Sequence, residues 1–518
     1  DHFPEIVHAL LNVIFPHYVR PIPATSIVVF YPKRNLSETV GVKKGTSLAS
    51  IPVDGTQCLF QTCFDIDVHP LRVVSVDTAQ APGQHTHIRL RMEMTGQDLS
   101  RWHPNRLGFF IGGSHTEATD LFMLLKHYLE RIILNPLDGG QPCTLLPSAL
   151  RASGFEKENN LLPYPSNAFS GYRILHEYFI LPRKFTFLEL QGWDNWVDRG
   201  EGKQFEIIFE LRPAPIAPPK ITTDHFILNA TPVINLFKHE ADPFTFDHRL
   251  EKIRVQPVGN NPRHYQVFSV DDVTGYAQGT VAKKNYTPFE LFRHQEGQSS
   301  VYEVSYDRSP ITDAPEVFLS FTYPSDGPEP VKETLSINLT CTNGDLPEQL
   351  QIGDISVQTS DSPALLNFRN VLPPTSSIEP PMGQNAAWRF LAHLSLNYLP
   401  LSNAENLREL LQLYIFPESR DKPKVTANIK RIGGITAFQS APVDRLMRGM
   451  LLRGQTLTLS ARQDHFAGLG DLYLFGAVMD VYLSVYSSIN TFTQFELKET
   501  ISGESFLWPA KMGNRPLI

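Results

Sequence analysis

The stretch FAGLGDLYLFGAVMDVYLSVYSSINTFTQFELK, Phe466 to Lys498, decides how the chain is read. A helix from Asp471 to Ser487 would carry Leu472, Phe475, Met479, Tyr482 and Tyr486 on one side. Leu474, Val478, Val481 and Val485 would fill much of the rest, so the helix is apolar nearly all round and needs cover on every side. It is too short to span a bilayer and carries Asp480, so its cover is a domain centre or another chain. Before it, Leu457, Leu459 and Ala461 alternate with Thr456, Thr458 and Ser460; after it, Ile489, Thr491, Thr493, Phe495 and Leu497 alternate with mostly polar residues. The unit is therefore strand, helix, strand. Gly468 and Gly470 precede the helix as in a phosphate cradle, but Tyr473 holds the third glycine position and Asp471 would repel a phosphate. Asp471 reads instead as a helix N-cap.

Working outward, 518 residues exceed what one hydrophobic core serves, so two to four domains are expected. With 42% hydrophobic and 19% charged residues the composition is globular, and 41 prolines favour strands and turns over long helices. A net charge of -8 without a basic block argues against nucleic acid and against anionic membrane as partners. Cys58, Cys63, Cys143 and Cys341 form neither a metal motif nor a secreted disulfide framework, and fit reduced thiols in a cytosolic protein. Cys58 and Cys63 would lie on opposite faces of an extended segment. Because residue 1 is Asp1, the chain is expected to be a fragment.

The fold class expected is α+β and β-rich, multidomain, with mostly antiparallel sheets, a few amphipathic helices and the C-terminal strand-helix-strand unit. Residues 1–158 read as an N-terminal α+β domain with a long helix near 116–134, residues 159–375 as a β-rich middle with a sub-boundary near 212–220, and residues 376–518 as a C-terminal α+β domain. Pro4 to Phe15 is a short helix. His85 to Thr95 is the clearest strand, with Ile88, Leu90, Met92 and Met94 on its dry face. Ser114 and Glu117 form a capping box ahead of a stripe from Leu121 to Ile132, in a strand-then-helix order that faintly resembles the C-terminal unit. Tyr172 to Ile180 makes an aromatic helix ended by Pro182, with strand from Lys184 onward; the linker Arg212 to Lys220 is proline-rich, and β patterning follows to about Pro380. Ala386 to Tyr398 is a helix, and Ser402 with Glu405 caps another. The tail Ser505 to Ile518 is expected to dock.

Each candidate for chemistry fails on spacing. His85 and His87 share a strand face without a third metal ligand, and His239-Glu240 begins a zinc-peptidase signature in which Pro243 replaces the second histidine. Ser114 lacks the closing glycine of a nucleophile elbow, and Asp247-His248 has no nucleophile placed beside it. The loop QGWDNWVDRGEGK sets Trp193 and Trp196 among Asp194, Asp198 and Glu201. It could serve a β-rich hydrolase as paired carboxylates, but it reads better as a protruding tip that packs on its own domain or on a partner, with Trp193 and Trp196 the first choice for exposed interface contacts. No catalytic, metal-binding or cofactor-binding residue is assigned, and no cofactor is expected.

Several longer phrases together resemble one family, the type VI secretion baseplate subunit TssF, also called VasA or ImpG. They are FPHYVRPIPATSIVVF (Phe15 to Phe30), GTQCLFQTCFDIDVHPLRV (Gly55 to Val73), LLPYPSNAFSGYRILHEYFILPRKFTF (Leu161 to Phe187), PVINLFKHEADP (Pro232 to Pro243), LTCTNGDLPEQL (Leu339 to Leu350), WRFLAHLSLNYLPL (Trp388 to Leu401), LRGQTLTL (Leu452 to Leu459) and LYLFGAVMDVYLSVYSSINTFTQFEL (Leu472 to Leu497). Gly344 stands where the family usually has a basic residue, and the family's N-terminal helical region precedes Asp1. The resemblance implies a structural protein and no enzyme. Its implied partners are TssG, a second copy of TssF, TssK, TssE, the VgrG spike and the sheath, with no membrane insertion. It also implies a cytoplasmic place, docked at the inner-membrane complex of a Gram-negative bacterium. The alternative is the wedge protein of another contractile injector or phage tail.

Overall fold

A computed structural model of the chain describes residues 20–34, 36–79, 86–164, 170–259, 261–277, 283–289, 300–311, 314–323, 332–380, 403–417, 419–447, 450–485 and 491–513. The α-helices among them are α1 (His115–His127), α2 (Ser170–Ile180), α3 (Ala404–Gln412), α4 (Lys422–Gly433) and α5 (Leu469–Ser484). The expected helices Pro4 to Phe15 and Ala386 to Tyr398 lie outside the described residues.

The all-round apolar sequence of α5 has the consequence its composition demands: the helix is buried from Leu469 to Asp480 and again at Tyr482 and Leu483. The strands Met450–Ala461 and Thr491–Glu499 flank it in sequence and pair parallel, with Leu457 opposite Phe495 and Leu459 opposite Leu497. Parallel neighbours need a crossover, and α5 supplies it. Its other sides meet α1 and α2. The contact with α1 is close because Gly470 has no side chain: a Cβ there would lie 2.4 Å from the Asp120 backbone nitrogen. Gly470→Ala is therefore expected to cost about 1–3 kcal/mol by overpacking, read as a lower melting temperature in calorimetry. Downstream, Ser505–Leu507 pairs with Thr491–Glu499, and Trp508 stacks on Tyr473 with ring centroids 5.3 Å apart, so this part of the tail docks as expected.

Two local expectations near these helices are corrected. The N-cap of α5 is Gly468, and Asp471 sits inside the first turn with its carboxylate drawn to groups on other elements. The N-cap of α3 is Asn403, whose side chain accepts from the Asn406 amide at 2.9 Å, in place of a box built on Ser402.

Helix α1 opens with the expected capping box of Ser114 and Glu117 but stops at His127, and Leu129–Pro136 is a strand. The long helix near 116–134 is thus corrected. Ile132, Ile133 and Leu134 pair with the strand Gln204–Leu211, where two isoleucines suit a pleated surface better than a helix end. The resulting sheet runs Cys143–Leu145, Leu129–Pro136, Gln204–Leu211, Thr86–Met94 and Leu71–Ala79, all antiparallel. In Thr86–Met94 the residues Ile88, Leu90, Met92 and Met94 are buried, as the alternation predicts. The strand before α1, Leu107–Ile111, belongs to a different, four-stranded sheet, so this region does not repeat the C-terminal unit. Helix α2 is found where Tyr172 to Ile180 reads as helical; the strand after it starts at Phe187, three residues later than expected, because Pro182–Thr186 forms a 3-10 turn.

A second body is a six-stranded sheet ordered Ile355–Val357, Ser47–Val53, Thr56–Thr62, Ala230–Ile234, Thr25–Pro32 and Leu366–Asn370. It curls until its edges meet, with the Asn370 side-chain oxygen accepting from the amides of Gly353 and Ile355 at 2.9 and 3.0 Å. Val28, Phe30, Cys58, Phe60 and Phe368 share its inner core, while Cys63 packs with Phe64, Phe110 and Phe187 in another cluster. The two thiols are thereby placed in separate cores, and both are free.

A third body is inserted into the second. The chain leaves the curled sheet after Ile234, builds the strands from Phe237–Glu240 to Glu333–Thr342 around Phe246, Leu319, Leu335 and Leu339, and returns at Asn343. Exit and return are tied together by Asn235. Its side-chain oxygen accepts from the Asn343 amide (2.7 Å) and the Thr342 hydroxyl (2.8 Å), and its nitrogen donates to the Leu59 carbonyl (2.7 Å) and the Asn343 side chain (2.8 Å). Every hydrogen-bonding site of a fully buried amide is used. Asn235→Ala is expected to cost about 1–3 kcal/mol and to raise amide exchange across Phe237 to Thr342 before the rest of the chain. An even rise everywhere would show that the asparagine does not act as a joint. The largest hydrophobic cluster draws on residues from Leu71 to Phe506, so packing crosses the boundaries at 158 and 375 read from the sequence.

Candidate functional site

Two of the charged groups that the fold buries, Asp471 and Glu177, stand at joints between elements. Asp471 is fully buried where α1, α4 and α5 meet. His115 Nε2 lies 2.9 Å from one carboxylate oxygen; the other accepts from Arg431 Nε (3.0 Å) and Nη2 (2.9 Å) and from the Ala467 amide (3.0 Å). Burial alone would push this carboxyl up, but the bonds from His115 and Arg431 outweigh it and hold it at about 2. An ionised carboxylate buried and paired in this way is a pin between helices, out of reach of a substrate.

Glu177 on α2 makes the second joint. Its Oε1 accepts from the Leu161 amide at 2.8 Å, and its Oε2 takes a short bond from Lys184 and a longer one, 3.3 Å, from Arg173. Burial brings the Lys184 ammonium down to about 8 against the pull of Glu177. A lysine of that acidity suits Schiff-base chemistry, but Lys184 and Glu177 are both 0% exposed, so a carbonyl substrate has no approach.

Trp193 and Trp196, expected as exposed contacts, are 1% and 2% exposed, which corrects that expectation. They pack with Trp102 and Phe205, and their indole N–H groups donate to the carbonyls of Leu190 and Gln141, both at 2.9 Å. A core position that also satisfies the indole nitrogen is lower in free energy than an exposed one. Asp194, Asp198 and Glu201 stay exposed on the loop above them. Ser114, Glu117 and His225 do come together, but in the wrong order for a triad. The Ser114 hydroxyl donates to Glu117 at 2.7 Å, and His225 Nε2 is 3.9 Å from that same carboxylate, so the histidine is not placed to take the hydroxyl proton. His87 faces Glu210 at 3.5 Å, and His85 lies outside the described residues. His239 stacks on Tyr265, and His248 bonds the Tyr323 hydroxyl at 2.5 Å beside Glu333.

Among the described residues no group of three His, Cys, Asp or Glu side chains could hold a metal ion. Two clefts, one beside Tyr414 and Lys424 and one beside Arg106 and Glu189, hold about 20 and 40 Å³. Either suits a water or two, far below the several hundred Å³ of a metabolite site. No described helix is long and apolar enough to cross a membrane. The sequence does not show the buried joints because they also need distant partners, His115 lying 356 residues from Asp471 and Asn343 lying 108 from Asn235. The available signal was a carboxylate set in or against an apolar run, as Glu177 is in YRILHEYFIL and Asp471 is ahead of LYLFGAVM.

Interlocked β-rich bodies, pinned by buried ion pairs and an amide joint, define the class: an α+β protein built to hold several parts in a fixed relation. The sequence profile of the family described as Type VI secretion system, TssF, matches residues 1–515, and the chain belongs to that family. It is 28% identical over 561 residues to the type VI secretion system component TssF1 of Pseudomonas aeruginosa, covering 99% of this chain and 89% of the relative. Its fold is similar to a chain of the type VI secretion TssK-TssF-TssG baseplate subcomplex seen by cryo-electron microscopy, with a TM-score of 0.84 and 28% identity over 100% of this chain and 96% of that one. A chain of another type VI baseplate complex shares the fold at a TM-score of 0.65 and 24% identity, over 99% and 89% of the two chains.

Proposed function

We propose that this chain is a structural subunit of the type VI secretion baseplate and acts as a scaffold, without catalysis. The observation that supports this most is the likeness, over the whole of this chain, to a chain of the TssK-TssF-TssG subcomplex. On this reading it binds TssG and TssK directly. In the finer version it pairs with a second copy of itself, meets TssE, surrounds the VgrG spike as part of a wedge, and forms the platform from which the contractile sheath grows. That places it in the cytoplasm against the inner-membrane complex. Its rigidity is the physical basis: a wedge passes on a conformational signal only if its bodies do not slip past each other, and Asp471, Glu177 and Asn235 oppose such slipping. In a strain lacking the chain, fluorescently tagged sheath is expected to stay dispersed and to form foci again when the chain is restored. Sheath foci of normal number without it would refute the proposal.

A further inference from the structure

Asn343-Gly344 is the only Asn-Gly pair in the sequence, and it lies where the chain returns from the inserted body to the curled sheet. Asn-Gly is the dipeptide that most readily loses its side-chain amide in water, because no side chain on the second residue obstructs the approach of its backbone nitrogen to Cγ. Here the fold restrains both reacting groups. Asn343 is fully buried, so water does not reach its Cγ. Its Oδ1 accepts from the Leu59 amide at 3.1 Å and from Asn235 Nδ2 at 2.8 Å, and its Nδ2 donates to the His264 carbonyl at 3.2 Å. The Gly344 N–H, which would have to give up its proton to attack, donates to the Thr342 hydroxyl oxygen at 3.2 Å; that hydroxyl in turn donates to Asn235. One residue, Asn235, thus holds the electrophile directly and the nucleophile through Thr342.

We propose that Asn343 is a modification site guarded by this joint: it deamidates when the link between the curled sheet and the inserted body opens, and the product keeps the link open. On opening, the Gly344 nitrogen bonds to Asn343 Cγ, the Cγ–Nδ2 bond breaks, and Nδ2 leaves as ammonia with the proton that the Gly344 nitrogen has lost. The five-membered imide left behind is hydrolysed by water, whose hydroxyl adds to one of its two carbonyl carbons while its hydrogen returns to the ring nitrogen. The products are an ordinary aspartate or an iso-aspartate, and nothing is oxidised or reduced. Neither refits the joint. The ordinary aspartate brings a charge into a site without solvent and turns an oxygen toward the His264 carbonyl where Nδ2 was a donor. The iso-aspartate routes the main chain through Cγ, so the backbone is one methylene longer between Thr342 and Gly344. Neither the reaction nor its lasting effect depends on what the chain assembles with.

Wild type, Asn235→Ala and Asn235→Ala/Gly344→His are incubated at mildly alkaline pH beside a synthetic peptide of residues Leu339 to Leu350, and the aspartate forms at position 343 are measured by peptide mapping with mass spectrometry. Wild type is expected to react at least about tenfold more slowly than the peptide, and Asn235→Ala at least about tenfold faster than wild type. Gly344→His should slow the opened chain again, an effect that loosening alone does not give. Histidine is tolerated at the φ of +59° found there, and a Cβ at 344 meets nothing within 4 Å. Wild type reacting as fast as the peptide would overturn the inference, and so would an Asn235→Ala rate within about twofold of wild type. Asn343→Asp, which is one of the two products, should show raised amide exchange from Phe237 to Thr342; exchange equal to wild type would overturn the lasting opening.

Discussion

Replacing Glu177 by leucine is expected to destabilise the chain by about 3–5 kcal/mol, the size that follows when one half of a buried ion pair is removed. The leucine leaves the Lys184 ammonium with no carboxylate, inside a site where neither group meets solvent. It also takes the acceptor from the Leu161 amide and one partner from Arg173. Arg173 keeps the carbonyls of Phe155 and Glu156, so most of the loss falls on Lys184. Removing both charges should therefore repair much of the damage. Glu177→Leu/Lys184→Met is expected to unfold closer to wild type than either single variant, since apolar replacement of both partners is often neutral. Calorimetric unfolding of the four proteins decides the matter, and additive losses in the double variant would show that the pair is not coupled.

Asp471→Asn should carry a loss of similar size, about 3–5 kcal/mol, because it leaves Arg431 with neutral amides, that of Asn428 included, and no carboxylate among three helices. It should also change how stability responds to acid. The folded carboxyl sits at about 2, below its ordinary 3.8, so its contribution is complete above pH 3.8 and is lost as the pH falls through that range toward 2. The drop of nearly two pKa steps corresponds to about 2 kcal/mol. Wild type should accordingly lose stability between pH 4 and pH 2 more steeply than the variant, in denaturant melts recorded across that range. Parallel acid limbs in the two proteins would mean that the carboxylate is not held as its hydrogen bonds indicate.

Much of the fold could be read from local pattern. The all-round apolar helix α5 could only be a centre, and it is one; the alternation in Thr86–Met94 and the Ser114 cap of α1 are recorded in consecutive residues. What failed depended on distant partners. Leu129 to Ile132 continues a helical period, and only the pairing with Gln204–Leu211 makes it a strand. Trp193 and Trp196 stand in a polar, glycine-bearing loop that reads as exposed, and Arg199 folding back onto their carbonyls is what buries them. The joint at Asn235 joins residues 107 and 108 positions apart, a relation that no periodicity records. The family phrases reached further than the pattern did, because each extends over many residues and all run in order along the chain.

If this chain works as a part held between other proteins, the mass of what it forms is the direct test. Native mass spectrometry of the chain purified after co-expression with TssK and TssG from the same genome should give one dominant species containing all three. A spectrum showing only the free chain, with both other subunits soluble and folded alongside it, would contradict the claim.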